Sequence, residues 1–322
     1  MKKKLGFMIA SALTVVPAAN ITAGLCLFNT SIVRANISLG QTQGMAGVNW
    51  SAYAEQIADM EIMLSENRTD EYYISSFDGL RLYGQYFSAG TDKGDGIKRI
   101  AVCFHGYTSY GGGNNSAAAV FFLSHGFDVL LPDLRAHGNS EGEYVGFGCL
   151  DRYDGLEWVR FLQNKYRRED REGRLEIYLY GVSMGGATVC MMSGLDLPGC
   201  VRGIISDCAF TSPEAMFELV LKNKYHLPPA PVMLVANLVN QKYAGYTLNK
   251  CSSDKEVKKA KVPMLFIHGS GDKFIPESMC HTIYKSCASE KDMLIIDGAA
   301  HAEAYYKDKT AYENKLTEFL EL

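Results

Sequence analysis

The chain has 322 residues, of which 47% are hydrophobic and 21% are charged, and these are the proportions of a globular protein rather than of a disordered chain. Its formal net charge of −4 argues against nucleic acid as a partner, because such a partner favours an excess of Lys and Arg. The nine cysteines form no C-x-x-C pair and the seven histidines show no paired ligand spacing. A disulfide framework, a metal site and a cofactor are therefore not predicted.

The N-terminal segment is rich in apolar residues. It opens Met1-Lys-Lys-Lys4 and then runs without a charge from Leu5 to Val33. Leu5–Phe28 is long enough to cross a bilayer core of about 30 Å at a helical rise of about 1.5 Å per residue. Because the lysines would remain cytoplasmic, we expect a single-pass membrane anchor with the rest of the chain outside the cytoplasm. A cleavable signal peptide ending at Val33-Arg34-Ala35 is the alternative, and it would give a secreted protein.

Residues 1–34 are thus an anchor or signal segment, residues 35–70 a linker with a leading helix, and residues 71–322 a single domain. The domain begins with a hairpin, since Tyr72–Ser76 and Leu80–Phe87 flank a turn signal. Further short apolar runs are typical of strands that are buried on both faces of a parallel sheet. These runs are Ile100–Phe104, Asp128–Leu131, Glu176–Tyr180, Gly203–Asp207, Met264–His268 and Met293–Ile296. Because helical stretches separate them, the sequence predicts an α/β fold with a mostly parallel, doubly wound sheet.

One stretch after a strand run carries a candidate nucleophile. Gly181-Val-Ser183-Met-Gly185 directly follows Glu176–Tyr180 and precedes a segment of small and apolar residues that is compatible with a helix. This is the strand–turn–helix context of a nucleophile elbow. Glycines there permit close approach of the main chain, and the serine occupies a strained, exposed corner. The pattern indicates that Ser183 is the nucleophile.

The segment 211–260 interrupts the alternation of strands and helices, and we expect it to form a cap over the site. Within it, Pro228–Val239 is an apolar run that either lines an acyl pocket or simply packs on the core. From Lys222 to Lys261, eight lysines stand against Asp254 and Glu256, which gives a formal charge of +6. Such a run forms a solvated face, or it meets anionic headgroups if the protein lies near a membrane.

Two later loops supply an acid and a base. A serine hydroxyl becomes a good nucleophile only when a histidine takes its proton and a carboxylate orients that histidine. Asp272 stands at the tip of a glycine-rich loop after Met264–His268, and His301 stands in the loop after the last strand run. The order serine, acid, histidine has spacings of 89 and 29 residues. Asp207 is the rival acid, although we expect it to anchor the entry to the cap by local hydrogen bonds.

Five other histidines are rival bases. They are His105, His125, His137, His268 and His281. Of these, His105, His137 and His268 fit hydrogen-bonding roles within loops better than a catalytic role. His301 therefore remains the expected base.

Two further loops complete a resemblance to a known superfamily. Val102–Tyr107 is a His-Gly loop after a strand run. Pro132–Gly142 is similar to a D-x-R-G-H-G-x-S-x-G loop in which Ala136 replaces a glycine at a loop-packing position. Together with the elbow, they make residues 71–322 resemble an α/β-hydrolase, close to the serine aminopeptidase-like and Bem46-like branch. The resemblance implies the α/β-hydrolase fold with a helical cap inserted between strands.

The resemblance also implies acyl-transfer chemistry. Ser183 would attack, His301 would act as base and then as acid, and Asp272 would orient the imidazole. The backbone N–H groups of Met184 and Tyr107 are the candidate oxyanion donors. By family analogy the substrate is a small-molecule carboxylic ester, with an amide, peptide or thioester as the alternative. From a different class of function, a non-catalytic binding protein of the same fold remains open.

Overall fold

The computed structural model describes residues 18–34, 47–90 and 94–322, and an eight-stranded sheet lies at its centre. The strands are β1 (Arg68–Ser75), β2 (Arg81–Phe87), β3 (Lys98–Phe104), β4 (Asp128–Pro132), β5 (Leu175–Val182), β6 (Val201–Asp207), β7 (Met264–Gly269) and β8 (Lys291–Ile296). Their order across the sheet is β1-β2-β4-β3-β5-β6-β7-β8. The pairs β1–β2 and β2–β4 are antiparallel, and all other neighbours are parallel. The predicted α/β fold with a mostly parallel sheet is confirmed.

The central strands are apolar on both faces because helices cover both faces. Along β3, Ile100, Val102 and Phe104 belong to the core on one face of the sheet, whereas Ala101 and Cys103 belong to the core on the other. This double burial explains why the strand sequences are continuous apolar runs rather than alternating ones. Since β5, β7 and β8 run parallel, their carboxyl ends meet at one edge of the sheet.

The helices outside the cap surround this sheet. They include Ala54–Asn67, Ser116–Ser124, Asp151–Lys165, Arg167–Arg171, Met184–Met192, Glu277–Ser286, Ala304–Lys307 and Lys309–Phe319, together with the 3-10 turn Trp50–Tyr53. Every residue of Met184–Met192, the elbow helix, is buried. This complete burial accounts for its uniformly small and apolar composition.

The cap helices lie between β6 and β7, within the segment that we expect to be a cap. They are the first cap helix (Pro213–Asn223), the second cap helix (Pro229–Tyr243) and the short helix Ser253–Glu256, which the 3-10 turn Val257–Lys259 follows. The first cap helix is well capped, because the Ser212 hydroxyl accepts a hydrogen bond from the Ala215 N–H at 3.1 Å and a proline occupies its first turn. Its start is therefore encoded locally, just after β6 ends.

The predicted membrane span Leu5–Phe28 is described only in part. Residues 18–31 form a helix, here called the N-terminal helix, which packs against the second cap helix. A Cβ atom at Gly24 would lie only 2.6 Å from Val235 Cβ. The earlier half of the predicted span, together with Ala35 and residues 36–46 of the predicted linker, lies outside the described residues. Among the helices that the structure does describe, none has both the length and the apolar character needed to cross a membrane.

Candidate active site

Ser183 lies on the expected strained turn between β5 and the elbow helix, but it is only 8% exposed, so the expectation of an exposed corner is wrong. Its φ of 57° and ψ of −114° fall outside the regions that L-residues prefer. The Ser183 N–H donates to the carbonyl oxygen of Asp207 at 2.8 Å, and the Ser183 carbonyl accepts from the Ala187 N–H at 2.9 Å. These two bonds hold the turn on both sides, so the strain is borne by the sheet and the helix together.

Two glycines make this turn possible. A Cβ atom at Gly181 would lie 2.2 Å from the carbonyl oxygen of Gly185, and one at Gly185 would lie 2.0 Å from the carbonyl oxygen of Phe104. Because both neighbours are main-chain atoms, neither can move aside cheaply. The two glycines of the predicted elbow are therefore required by close approach of the main chain.

The structure brings Ser183, His301 and Asp272 together. The Ser183 hydroxyl lies 2.8 Å from His301 Nε2, and His301 Nδ1 lies 2.7 Å from Asp272 Oδ2. With the hydroxyl and Nδ1 as donors, the three groups form one hydrogen-bonded chain that crosses the carboxyl edge of the sheet. The ring of Phe274 packs edge-on against His301 with centroids 5.1 Å apart and helps to fix the imidazole plane. The catalytic roles of the three residues stay a prediction.

Asp272 is held in an environment that favours its ionised form. Its Oδ1 accepts hydrogen bonds from the N–H groups of Phe274 and Ile275 at 2.9 and 2.8 Å. Burial alone would raise the pKa of Asp272, but the nearby His301 and His268 outweigh that effect. The pKa of this carboxyl is therefore held well below its ordinary value.

The hydrogen bond to a loop that the sequence predicts for His268 is confirmed, but its contact with Asp272 was not predicted. His268 is fully buried at the end of β7, its Nε2 donates to the carbonyl oxygen of Ile275 at 2.9 Å, and it lies 3.4 Å from Asp272 Oδ2. Burial would lower the pKa of His268, but the interaction with Asp272 raises it to about 10. The available signal was the spacing His268-Gly-Ser-Gly-Asp272, which leaves only three residues between His268, at the end of β7, and Asp272.

The two candidate oxyanion residues lie beside the nucleophile. Tyr107 and Met184 line the same cavity as Ser183. Met184 is the first residue of the elbow helix, so no carbonyl within that helix can accept from its N–H. The loop of Tyr107 approaches the serine closely, since a Cβ atom at Gly106 would lie 3.3 Å from Ser183 Cβ. Their role as donors stays a prediction.

Two rival bases hold the loops around the site. The Leu134 N–H donates to His105 Nε2 at 2.9 Å, and His137 Nδ1 bonds to the Arg135 carbonyl oxygen at 3.0 Å. Burial lowers the pKa of His105 to about 4. Burial, together with the neighbouring His105, lowers the pKa of His137 to about 3. Both side chains are therefore neutral near pH 7, and they make the loop hydrogen bonds that the sequence predicts.

The remaining two rival bases lie at helices and bond there. His125 Nδ1 lies 2.8 Å from the carbonyl oxygen of Phe121, and His281 Nε2 lies 2.7 Å from Glu277 Oε1. Each partner is four residues earlier in the chain. Neither histidine lines the cavity that contains Ser183.

Asp207, the rival acid, has a different partner from the one expected. Its Oδ2 accepts a hydrogen bond from the Tyr312 hydroxyl at 2.8 Å, and Tyr312 lies on the helix Lys309–Phe319, 105 residues away in sequence. The expectation of local hydrogen bonds at the entry to the cap is therefore wrong for this side chain, because its buried position directs it toward the C-terminal helix. Burial raises the pKa of Asp207 to about 6.

The loop that follows β4 carries the departure from the superfamily pattern. Ala136 has a φ of 62°, in the left-handed region where a glycine is free of strain. Hydrogen bonds nevertheless fix the loop, because the Asp133 carboxylate accepts from the N–H groups of Gly111 and Asn139 at 2.7 and 2.8 Å. Alanine at position 136 is therefore held in a strained conformation by a loop that is itself fixed by hydrogen bonds.

A cavity of about 780 Å³ contains Ser183 and His301 in its wall. The wall is mostly apolar, and it includes residues of the N-terminal helix, the first cap helix and the loops after β3 and β7. Its larger apolar and aromatic residues are Leu27, Trp50, Ile57, Tyr107, Tyr110, Phe147, Met184, Phe210, Met216, Phe217, Val220, Leu221, Tyr225, Leu227, Phe274, Ile275 and Tyr306. Among the described residues of this wall there is no Asp or Glu, and Lys224 is the single lysine or arginine.

The apolar run Pro228–Val239 is not part of this wall. The prediction that it lines an acyl pocket is therefore wrong, and the alternative, that it packs on the core, remains. The run forms most of the second cap helix and buries Val232, Met233 and Ala236. Its other side carries Leu234 and Leu238, which are 64% and 65% exposed. The reason is the N-terminal helix, which packs against this run, while the first cap helix faces the cavity instead.

The described residues hold no candidate metal cluster and no disulfide. In residues 18–34, 47–90 and 94–322, no group of three His, Cys, Asp or Glu side chains is placed to hold a metal ion. All nine cysteines lie within those ranges and are free thiols, and Cys26 is the exposed one.

A serine on a nucleophile elbow, bonded to a histidine and through it to an aspartate at the carboxyl edge of a mostly parallel sheet, defines an α/β hydrolase. The family model described as serine aminopeptidase, S33, matches residues 95–257, which is half of the chain. The chain therefore belongs to this family of α/β hydrolases.

Curated relatives and solved structures agree with that class. The chain is 29% identical to protein YqkD of Bacillus subtilis over 200 residues, which are 62% of this chain and 64% of YqkD. It is 24% identical to a caffeoylshikimate esterase of Arabidopsis thaliana, over 72% of this chain and 82% of the esterase. The esterase Pf2001 of Pyrococcus furiosus superimposes with a TM-score of 0.63 at 19% identity, covering 82% of this chain and 94% of that one. At such identity the structural match shows a shared fold.

Proposed function

We propose that the protein is a serine hydrolase that cleaves carboxylic esters through an acyl-enzyme. The observation that carries the proposal is the hydrogen-bonded chain from Ser183 through His301 to Asp272 at the wall of an apolar cavity. A hydroxyl at 2.8 Å from an imidazole nitrogen is within range for direct proton transfer. An apolar cavity next to it suits the acyl part of an ester.

The reaction takes place in two halves. In the first, Ser183 Oγ attacks the acyl carbon while His301 Nε2 takes the hydroxyl proton, and the N–H groups of Tyr107 and Met184 bind the oxyanion. His301 then gives its proton to the leaving alkoxide, and the acyl-enzyme remains. In the second half, water attacks the acyl carbon with His301 again as the base, and the acid leaves as Ser183 regains its proton. Asp272 holds the imidazole in the required tautomer throughout.

The cavity favours an ester over an aminopeptidase substrate. An aminopeptidase must bind a free α-ammonium group, and a buried cation needs an anionic or strongly polar partner. The described residues of the cavity wall include no Asp or Glu. Relatives named as esterases support the same choice. Amides and thioesters use the same chemistry and are the alternative substrates.

A panel of esters, thioesters and aminoacyl amides tests this proposal. We expect the purified protein to hydrolyse esters fastest, and Ser183→Ala to lose that activity by about 10⁴-fold or more while it stays folded. Turnover retained by Ser183→Ala would contradict the assignment of the nucleophile. Absence of turnover on every substrate by the wild-type protein would favour the non-catalytic binding protein.

We also infer that the N-terminal segment attaches the protein to a membrane, with the hydrolase domain outside the cytoplasm. The support is the lysine cluster at residues 2–4, followed by the uncharged run from Leu5 to Val33. Ile21 and Leu25 of this run are also large apolar residues exposed on the N-terminal helix. We expect the intact chain in the membrane fraction. Intact protein in the soluble cytosol, or a mature chain that starts at Asn36, would contradict this inference.

A further inference from the structure

The N-terminal helix forms one wall of the cavity that contains Ser183. Ala23, Cys26, Leu27, Thr30 and Ser31 all line this cavity. They recur at three- and four-residue intervals, the spacing of one helix face. The segment that resembles a membrane anchor in sequence is thus in contact with the space that a substrate would occupy.

Specific contacts hold this helix against the hydrolase domain. The Tyr107 hydroxyl, from the candidate oxyanion loop, donates to the Ser31 carbonyl oxygen at 3.1 Å. Just after the helix, Val33 forms a β-bridge with Tyr144. Arg34 then donates to the carbonyl oxygen of Gly138 at 2.6 Å, in the loop that follows β4. These contacts place the helix in a defined position rather than loosely over the cavity.

The second cap helix supports the same position from the side. Gly24 lies so close to Val235 that a Cβ atom would meet its side chain at 2.6 Å, and Phe28 stacks on Tyr243 with ring centroids 5.9 Å apart. Gly24 permits this close approach, as glycine does wherever two backbones must come near.

The two faces of the N-terminal helix have different surroundings. Leu27 is only 6% exposed and faces the cavity, whereas Ile21 and Leu25 are 49% and 47% exposed on the outer face. A substitution on the inner face therefore changes the cavity, whereas one on the outer face changes only exposed surface. An outer-face variant of the same helix can thus serve as the matched control for an inner-face variant.

The first cap helix contributes a second, apolar part of the cavity wall. This part consists of Met216, Phe217, Val220 and Leu221. The volume of about 780 Å³ lies within the range of roughly 300–1,000 Å³ that is typical of small-molecule sites. A short acyl group would leave much of this apolar surface uncovered, whereas a longer alkyl chain would bury it.

We propose that the N-terminal helix is a substrate-binding wall that selects esters of long apolar acyl chains. Ala23 and Leu27 contact the alkyl chain, and the first cap helix encloses its other side. The substrate class is therefore an amphiphilic ester with a chain of about eight carbons or more. This inference rests on the proposed esterase function, because it specifies the acyl group that Ser183 accepts.

An acyl chain-length series on the full-length protein tests this assignment. We expect the wild-type protein to prefer 4-nitrophenyl decanoate and dodecanoate to the acetate. Ala23→Trp should fill the cavity and lower the ratio of kcat/KM for the dodecanoate to kcat/KM for the acetate by at least about tenfold. Ile21→Trp, on the outer face, is the matched control and should keep the wild-type profile. An unchanged profile in Ala23→Trp, or the same change in both variants, would overturn the inference.

Protection of Cys26 gives a second readout that needs no turnover. Cys26 lines the cavity and is the exposed member of the nine cysteines, so a maleimide should label it selectively. Dodecanoate should slow labelling of the wild-type protein at least about fivefold at concentrations where acetate has no effect, since only the longer chain reaches this wall. Equal labelling rates with both acids would overturn the inference even if the protein is an esterase. Protection without ester turnover would instead retain the binding wall and reject the proposed function.

Discussion

Asp272 and Asp207 both lie at the ends of neighbouring strands, yet their surroundings give them different properties. Asp272 accepts two backbone N–H bonds and the bond from His301, and its pKa is held well below the ordinary value by neighbours that outweigh its burial. Asp207 accepts one side-chain bond, from Tyr312, and burial raises its pKa to about 6. Environments that separate two carboxylates in this way commonly separate their roles. Asp272 is the one suited to stabilise an imidazolium.

Replacing each carboxylate by an amide tests this difference. Asp272→Asn should lower kcat by up to about 10⁴, because the charge that stabilises the imidazolium is lost and the wrong tautomer is favoured. Asp207→Asn is the matched control and should keep kcat near the wild-type value. Steady-state kinetics on one ester, with thermal unfolding of both variants, make the comparison. A nearly inactive Asp207→Asn beside a fully active Asp272→Asn would assign the acid to the other residue.

The raised pKa of Asp207 also predicts a pH-dependent stability. A carboxyl with a folded pKa of about 6, above its unfolded value near 3.9, stabilises the fold while protonated, and this contribution is lost as the pH rises through 6. Asp207→Asn removes this dependence. Between pH 4 and pH 8, the free energy of unfolding of the variant should therefore rise relative to wild type by about 2–3 kcal/mol. Urea unfolding at both pH values measures it, and a difference that does not vary with pH would contradict the account.

The positions of Ser183, Asp272 and His301 could be predicted because each follows a recognisable strand run, and parallel strands present such loops at one edge. The contact of His268 with Asp272 could not be predicted with the same reasoning. It depends on how one tight loop folds back on its own strand. The Asp207–Tyr312 bond was beyond prediction for a related reason, since it joins residues 105 positions apart.

Among the elements, the elbow depends most on close packing. Gly185→Ala would place a Cβ atom about 2.0 Å from the Phe104 carbonyl oxygen, between β3 and the elbow helix. We expect this variant to lose more than about 4 kcal/mol of stability or to fail to fold. Gly199→Ala is the matched control, because a Cβ atom there has no neighbour within 4 Å. Chemical unfolding of both variants with similar midpoints would contradict this view of the turn.

Hydrophobic runs predicted the strands better than they predicted the lining of the cavity. A strand buried on both faces is a continuous apolar run whatever its neighbours are, so the central strands were identifiable from sequence. The run Pro228–Val239 was equally apolar, but an apolar helix face does not reveal which element covers it. The N-terminal helix covers this run, and the first cap helix faces the cavity instead.

At the scale of the whole molecule, hydropathy does not distinguish whether the N-terminal segment crosses a membrane or packs against the hydrolase domain. A helix that packs between a cap and an apolar cavity needs the same residue types as one that crosses lipid. Residues 18–31 are in contact with the hydrolase domain through Ser31, Gly24 and Phe28. Removal of this segment by cleavage after Ala35 would also remove one wall of the cavity. The contact with the hydrolase domain is observed, whereas membrane attachment of the segment stays a proposal.

The central claim is that Ser183, activated by His301, is the nucleophile of this α/β hydrolase. Labelling by a fluorophosphonate, followed by peptide mapping, tests it most directly, because the probe reacts with activated serines and needs no knowledge of the substrate. We predict one label per chain, on Ser183, absent in Ser183→Ala and at least about 10³-fold slower in His301→Ala. Labelling at another residue, undiminished labelling of Ser183→Ala, or no labelling of the folded wild-type protein would contradict the claim.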